Sequence, residues 1–171
     1  MFRLKVFSAI CLGALSTGVA LGSSTATSNM SASASVTNNC TISAGALAFG
    51  AYDPVSANKT GDQPGTATLA VDCTNGASAV ITLGQGANAD TGSTDAAPLR
   101  RLKAGSDYLS YTLWQDSGRT TTPWGNTAGT GEEYAGVGTS ENVSVYAAIS
   151  GAQTSVHAGS FADTVVATIT F

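Results

Sequence analysis

Alternation with a period of two residues constrains this chain more than any other feature. A strand with one buried face needs that parity; a helix or a flexible loop does not. Between residues 66 and 73, Ala67, Leu69, Val71 and Cys73 share one face, while Thr66, Thr68, Ala70 and Asp72 share the other. The same parity separates Ala79, Ile81 and Leu83 from Val80 and Thr82. It recurs with Leu109, Tyr111 and Leu113 over 108–115, and with Val143, Val145, Ala147 and Ile149 over 141–149. Over 163–171 it sets Val165, Ala167, Ile169 and Phe171 against Val166, Thr168 and Thr170. The shorter apolar run 46–49 reads as a further strand. Turn-rich stretches at 53–65, 84–98 and 117–131 separate these runs. Short strands spaced in this way predict an all-β fold, an antiparallel sandwich.

Composition narrows the reading. Ala, Gly, Ser and Thr make up 91 of the 171 residues, and Leu, Ile, Val and Phe only 33. So few large apolar side chains approach the range of disordered chains, but disorder also calls for high net charge, and here it is −4. A single domain fits the length. Seven scattered Lys and Arg residues are too few to neutralise a phosphate backbone, which excludes a strongly basic nucleic-acid binder. No segment past the N-terminus is rich enough in Leu, Glu and Lys for a helical bundle.

Residues 1–22 have the three-part pattern of a secretory signal peptide. Arg3 and Lys5 precede the apolar run 6–15, and small residues follow, with a cut expected after the stretch 20–22 or 24–26. A membrane anchor is the alternative, but the run is short for a bilayer and no second long apolar run occurs. Removal of this segment leaves five basic and eleven acidic residues, and two cysteines, Cys40 and Cys73. An even pair in an exported chain predicts a disulfide. Its loop of 33 residues would contribute about 3–4 kcal/mol in the chain-entropy account. A metal site or a reactive thiol is the competing reading, and a zinc site lacks ligands, with one His and no third Cys.

Two segments do not suit a self-contained sandwich. Residues 23–39 look like a Ser/Ala/Thr linker, yet Met30, Ala32, Ala34 and Val36 alternate with Ser31, Ser33 and Ser35. A linker does not need that parity. At the other end, the last apolar run reaches Phe171 with no polar tail, and exposed strand edges invite pairing with another chain.

The sequence carries no enzyme signature. His157 stands alone in a loop and reads as solvated. There is no nucleophile elbow and no phosphate loop, and Gly129-Thr130-Gly131 reads as a turn. Glu132 and Glu133 would point to opposite faces of a strand. Asp53, Asp62, Asp90 and Asp95 lack the spacing of a calcium loop and read as turn formers. Arg100, Arg101 and Lys103 read as a solvated edge, or alternatively as a salt bridge to an acidic neighbour in a fibre. Trp114 and Trp124 read either as surface anchors or as half-buried rings on the sandwich.

Several of these stretches together resemble the spore coat protein U family: the leader, the alternating extension, Cys40-Thr41-Ile42, Ala48-Phe49-Gly50, Val71-Asp72-Cys73-Thr74 and the ending 161–171. Trp114-Gln115-Asp116, Arg119 and Pro123-Trp124-Gly125 are similar to the middle of that family. The family includes subunits of archaic, Csu-type chaperone–usher pili. The resemblance implies an incomplete immunoglobulin-like antiparallel sandwich, completed by donor-strand exchange. In such a subunit a periplasmic pilus chaperone fills the groove first. At the outer-membrane usher, the extension of the next identical or related subunit replaces it. Carried onto this sequence, the donor strand is Met30, Ala32, Ala34 and Val36, and the edge of the acceptor groove is Val165, Ala167, Ile169 and Phe171. The implied organisation is a signal peptide at 1–22, an extension at 23–38 and a pilin domain at 39–171. The implied life history is export to the periplasm and then the cell surface, as a homopolymer supporting adhesion and biofilm formation. No cofactor, metal, nucleic acid or membrane span is implied. Family donor strands are bulkier than Ala32 and Ala34, and each buried carbon is worth about 0.8 kcal/mol, so a shallower groove or weaker binding is expected. The competing readings are a non-polymerising spore-coat or matrix protein of the same fold, and a secreted sugar-binding sandwich or hydrolase. The alternating extension favours the first two over the third.

Overall fold

The computed structural model describes residues 22–171. The leader expected at 1–22 lies outside them but for its last residue. The chain divides into two units, 1–35 and 36–171. Of the first, residues 22–35 form neither strand nor helix and are exposed throughout.

The second unit is built from eight strands: β1 (Cys40–Ala44), β2 (Gln63–Cys73), β3 (Ser78–Leu83), β4 (Arg100–Ala104), β5 (Asp107–Trp114), β6 (Glu132–Ala135), β7 (Glu141–Ile149) and β8 (Ala167–Thr170). A five-stranded sheet has the order β1-β2-β7-β5-β4 and a three-stranded sheet the order β6-β3-β8. Every pairing is antiparallel. The two sheets share one core, and it consists of the inward set that the alternation marks. Leu69, Val71 and Cys73 of β2 meet Ile81 and Leu83 of β3, Leu109 and Leu113 of β5, and Val145, Ala147 and Ile149 of β7. Cys40 and Cys73 stand directly opposite each other in the β1–β2 ladder and are joined as a disulfide, with Cα atoms 4.1 Å apart.

Three expectations change. Residues 46–49 are not a strand; they keep a single bridge, Ala48 to Thr66. The ladder loosens there because Leu47 and Phe49 lie over Gly65 of β2. A Cβ on that glycine would stand 2.8 Å from the Phe49 ring. The strand expected over 163–171 is regular only across Ala167–Thr170. Its partner β3 ends at Leu83, and the chain then bends through Gly86 at φ +85°, so residues 163–166 bond to a loop instead. The basic run 100–103 is itself a strand, β4, at the edge of the larger sheet.

Candidate functional site

The two sheets do not close along one side. Among the described residues, β1 ends the larger sheet and β8 ends the smaller, and each has a partner on one side only. Past Ala44 and before Ala167 their flanking segments part and expose the core. A cleft of about 360 Å³ opens there between residues 44–47 and 163–167, floored by Leu69, Leu83, Tyr111, Leu113 and Val145. It runs on into a wider cleft of about 760 Å³ between residues 47–54 and 156–163, over Leu102, Leu109 and Ile149. The floor is therefore the apolar interior of the sandwich, and the walls are backbone segments at sheet edges. Such a groove suits an extended peptide, whose backbone can pair with the walls while alternate side chains enter the floor.

Val165 and Ala167 line the narrower cleft and pack against the core. Ile169 also packs against the core, paired with Ile81 in register, but does not line the cleft. Phe171 is 51% exposed and lies beside Val80 and Tyr134 on the smaller sheet. Met30, Ala32, Ala34 and Val36 are exposed, and so are the serines between them, with Met30 91% accessible. Among the described residues nothing gives their parity a buried side.

A carboxylate sits in the groove wall. Asp163 lines both clefts and accepts hydrogen bonds from Tyr111 Oη (2.8 Å), from Asn88 N (3.1 Å) and from Asn88 Nδ2 (3.0 Å). Burial and the neighbouring carboxylate raise the Tyr111 phenol well above its ordinary range, so it stays a donor. The Phe49 ring meets Tyr111 edge-on at 5.6 Å.

Lys103 stays on an exposed edge as expected, but Arg100 does not. It is 1% exposed, and its Nε donates to Gly84 O (2.8 Å) while Nη2 donates to Leu83 O (2.6 Å) and Trp124 O (2.9 Å). Burial lowers its pKa to about 10, which leaves it charged at neutral pH. A cation survives inside a sandwich only when carbonyl oxygens replace its water, as they do here. Arg101 is the partly exposed member, paired with Asp90 at 2.8 Å and stacked on the Tyr108 ring.

The tryptophan stretch also turns inward. Trp124 is fully buried, neither a surface anchor nor half-buried, and its Nε1 donates to Ile81 O (2.8 Å). Asp116 accepts from the backbone N–H groups of Thr120, Thr121 and Thr122, and these bonds, Thr122's first, hold its carboxyl down at about 2. The turn thus closed presents Arg119, at φ +56°, to Ala147 O (2.9 Å) and Gly65 O (3.2 Å). His157, exposed at the rim of the wider cleft, is tied through Nδ1 to Asp107 Oδ2 (2.8 Å). The apolar run 46–49 and the run beginning at Asp163 are legible in the sequence, but their meeting as groove walls is not, because it depends on how the two sheets stack.

A family model described as the Spore Coat Protein U domain matches residues 26–168. The chain belongs to that family. It is also 48% identical, over 155 residues covering 86% of each chain, to Protein U of Myxococcus xanthus. Among solved structures, its fold is similar to a chain of the CsuC–CsuE chaperone–tip adhesion subunit pre-assembly complex from archaic chaperone-usher Csu pili of Acinetobacter baumannii. The TM-score is 0.56 at 19% identity, over 80% of this chain and 40% of that one. This chain therefore spans less than half of the Csu chain it matches. The fold of this Spore Coat Protein U domain is accordingly an immunoglobulin-like antiparallel sandwich.

Proposed function

We propose that this chain is a structural subunit of an extracellular chaperone–usher pilus and polymerises by donor-strand complementation. The observation that carries this reading is the groove: an apolar core left open between two strand edges that have no partner. The alternating segment at Met30–Val36 is its counterpart, an extended run with one apolar face and nothing of its own to bury it. In the assembled fibre, Met30, Ala32, Ala34 and Val36 of one subunit enter the cleft of the next, along the wall carrying Val165, Ala167, Ile169 and Phe171. A periplasmic chaperone fills the groove beforehand, and the usher is where the exchange takes place. The leader at 1–22 starts this route, and the surface fibre supports adhesion and biofilm formation.

The strand register supplies the test, because a one-residue slip would exchange the buried and outward sets. A carboxylate placed in the groove without a partner costs several kcal/mol, whereas one on the outer face costs little. Ala34→Asp therefore abolishes polymerisation while leaving the chaperone-bound subunit intact, and Ser33→Asp still assembles. Heat-resistant ladders on gels and electron microscopy of the fibres score both. Equal polymerisation of the two variants would show the segment to be a linker. The likeness to Protein U supports a second reading, a coat protein of the same fold that does not polymerise. Cells that export the chain in quantity yet show no fibres and no ladder would favour it.

A further inference from the structure

One side chain holds the root of the N-terminal segment. Thr74 Oγ1 accepts from Asn39 N (3.1 Å) and donates its one proton to Thr37 O (3.3 Å) or Asn39 O (3.4 Å), while Thr74 N donates to Asn39 O (2.9 Å). These bonds carry the antiparallel register of β1 and β2 one pair beyond Cys40 and Cys73, with Asn39 beside Thr74. Both backbone groups of Asn39 are thereby used, and neither Asn38 nor Asn39 has a positive φ.

The sequence around this root also describes a hairpin that the structure does not form. With Thr37, Asn38 and Asn39 as a three-residue loop, Val36 falls opposite Cys40, Ala34 opposite Ile42, Ala32 opposite Ala44 and Met30 opposite Ala46. That register turns the apolar set inward with Cys40 and Ile42 and brings it to the narrower cleft at Ala44. A two-residue loop would turn the serines inward instead. Three-residue hairpin loops close through a residue in the left-handed region, which Asn tolerates, and Asn39 stands at that position. The open edge of β1 is free to receive the strand. Because the segment is tethered, its effective concentration at its own groove would be in the millimolar range, far above that of a second molecule. A chain built in this way would fill its own groove unless its root were held.

Building on the donor-strand reading above, we propose that Thr74 is a positioning residue. By holding Thr37–Asn39 in line with β1 it blocks the hairpin and reserves the segment for the groove of a second copy of this chain.

The test compares oligomer distributions after the exported chain, disulfide intact, is unfolded and refolded without chaperone at a low fixed concentration. Size-exclusion chromatography with light scattering reads the distribution, and gel ladders read heat resistance. Three variants are set beside the wild type: Thr74→Val, which keeps the branched shape and removes Oγ1; a Gly-Ser-Gly-Ser insertion after Asn39, which frees the root regardless of Thr74; and deletion of 26–36. Losing the two side-chain bonds raises the ratio of compact monomer to oligomer about tenfold in Thr74→Val, and the insertion variant becomes predominantly monomeric. If Thr74→Val keeps the wild-type distribution while the insertion variant turns monomeric, the role of Thr74 is overturned and the donor reading stands. If neither the insertion nor the deletion changes the distribution, the donor reading fails and the role of Thr74 fails with it.

Discussion

The sandwich meets itself in two contrasting places. Near Leu83 the sheets are fastened: Arg100 of β4 reaches across to Leu83 O, Gly84 O and Trp124 O, and Trp124 binds Ile81 O from a fully buried position. Between Ala44 and Ala167 they are unfastened, and the same core, Leu83 included, lies open to a cleft of about 360 Å³. The fastened seam uses large side chains and charge-assisted bonds; the open one is walled by Ala44, Gly45, Ala46 and Ala167. Among the described residues no hydrogen bond ties 44–47 to 163–167 across that opening. That leaves the opening complementary to a strand rather than to solvent.

The contrast breaks most visibly at Trp124. Trp124→Ala removes a fully buried ring and strands Ile81 O, and costs about 3–5 kcal/mol of subunit stability, read as a shift in denaturant midpoint. Leu47→Ala, on the half-exposed wall of the cleft, costs about 1 kcal/mol or less in the isolated subunit. Similar losses at the two positions would mean that the cleft is closed in solution.

Cys73→Ser is next in size. It opens the covalent tie between β1 and β2 at the end remote from the cleft, and lowers stability by about 3 kcal/mol with a fall in exported yield. Labelling the unfolded, unreduced wild type finds no free thiol at Cys40 or Cys73. β1 ends its sheet and pairs with β2 alone, so β1 amides gain the most hydrogen exchange in the variant.

The smallest effect refines the fastened side. The Asp116 carboxyl sits at about 2, below its ordinary 3.8, because backbone N–H groups favour its charged form. A lowered folded-state pKa gives stability that is complete above about pH 4 and lost as pH falls through about 2. Asp116→Asn is therefore less stable than wild type at neutral pH, and the two curves converge below pH 2. A constant gap across that range would place the contribution of Asp116 elsewhere than in its charge.

Parity in the sequence determined which residues of β2, β3, β5 and β7 face inward, because a pleated strand half buried in a core admits only one choice. It also marked the segment at Met30–Val36, while the Cys40–Cys73 pair followed from the two cysteines left once the leader is removed. Parity could not reveal β4 or β6: Arg100-Arg101-Leu102-Lys103-Ala104 and Glu132-Glu133-Tyr134-Ala135 are edge strands whose charges mask the pattern. Nor could it place Arg100, whose burial depends on carbonyls of Leu83, Gly84 and Trp124 that come together only when the two sheets stack. The groove belongs to the tertiary structure for the same reason. Its floor comes from four strands, its walls from segments more than a hundred residues apart, and its opening from a ladder that Phe49 over Gly65 lets go. A local pattern can say that a face is apolar. Whether another face covers it is decided by how the strands are connected and where their pairing stops.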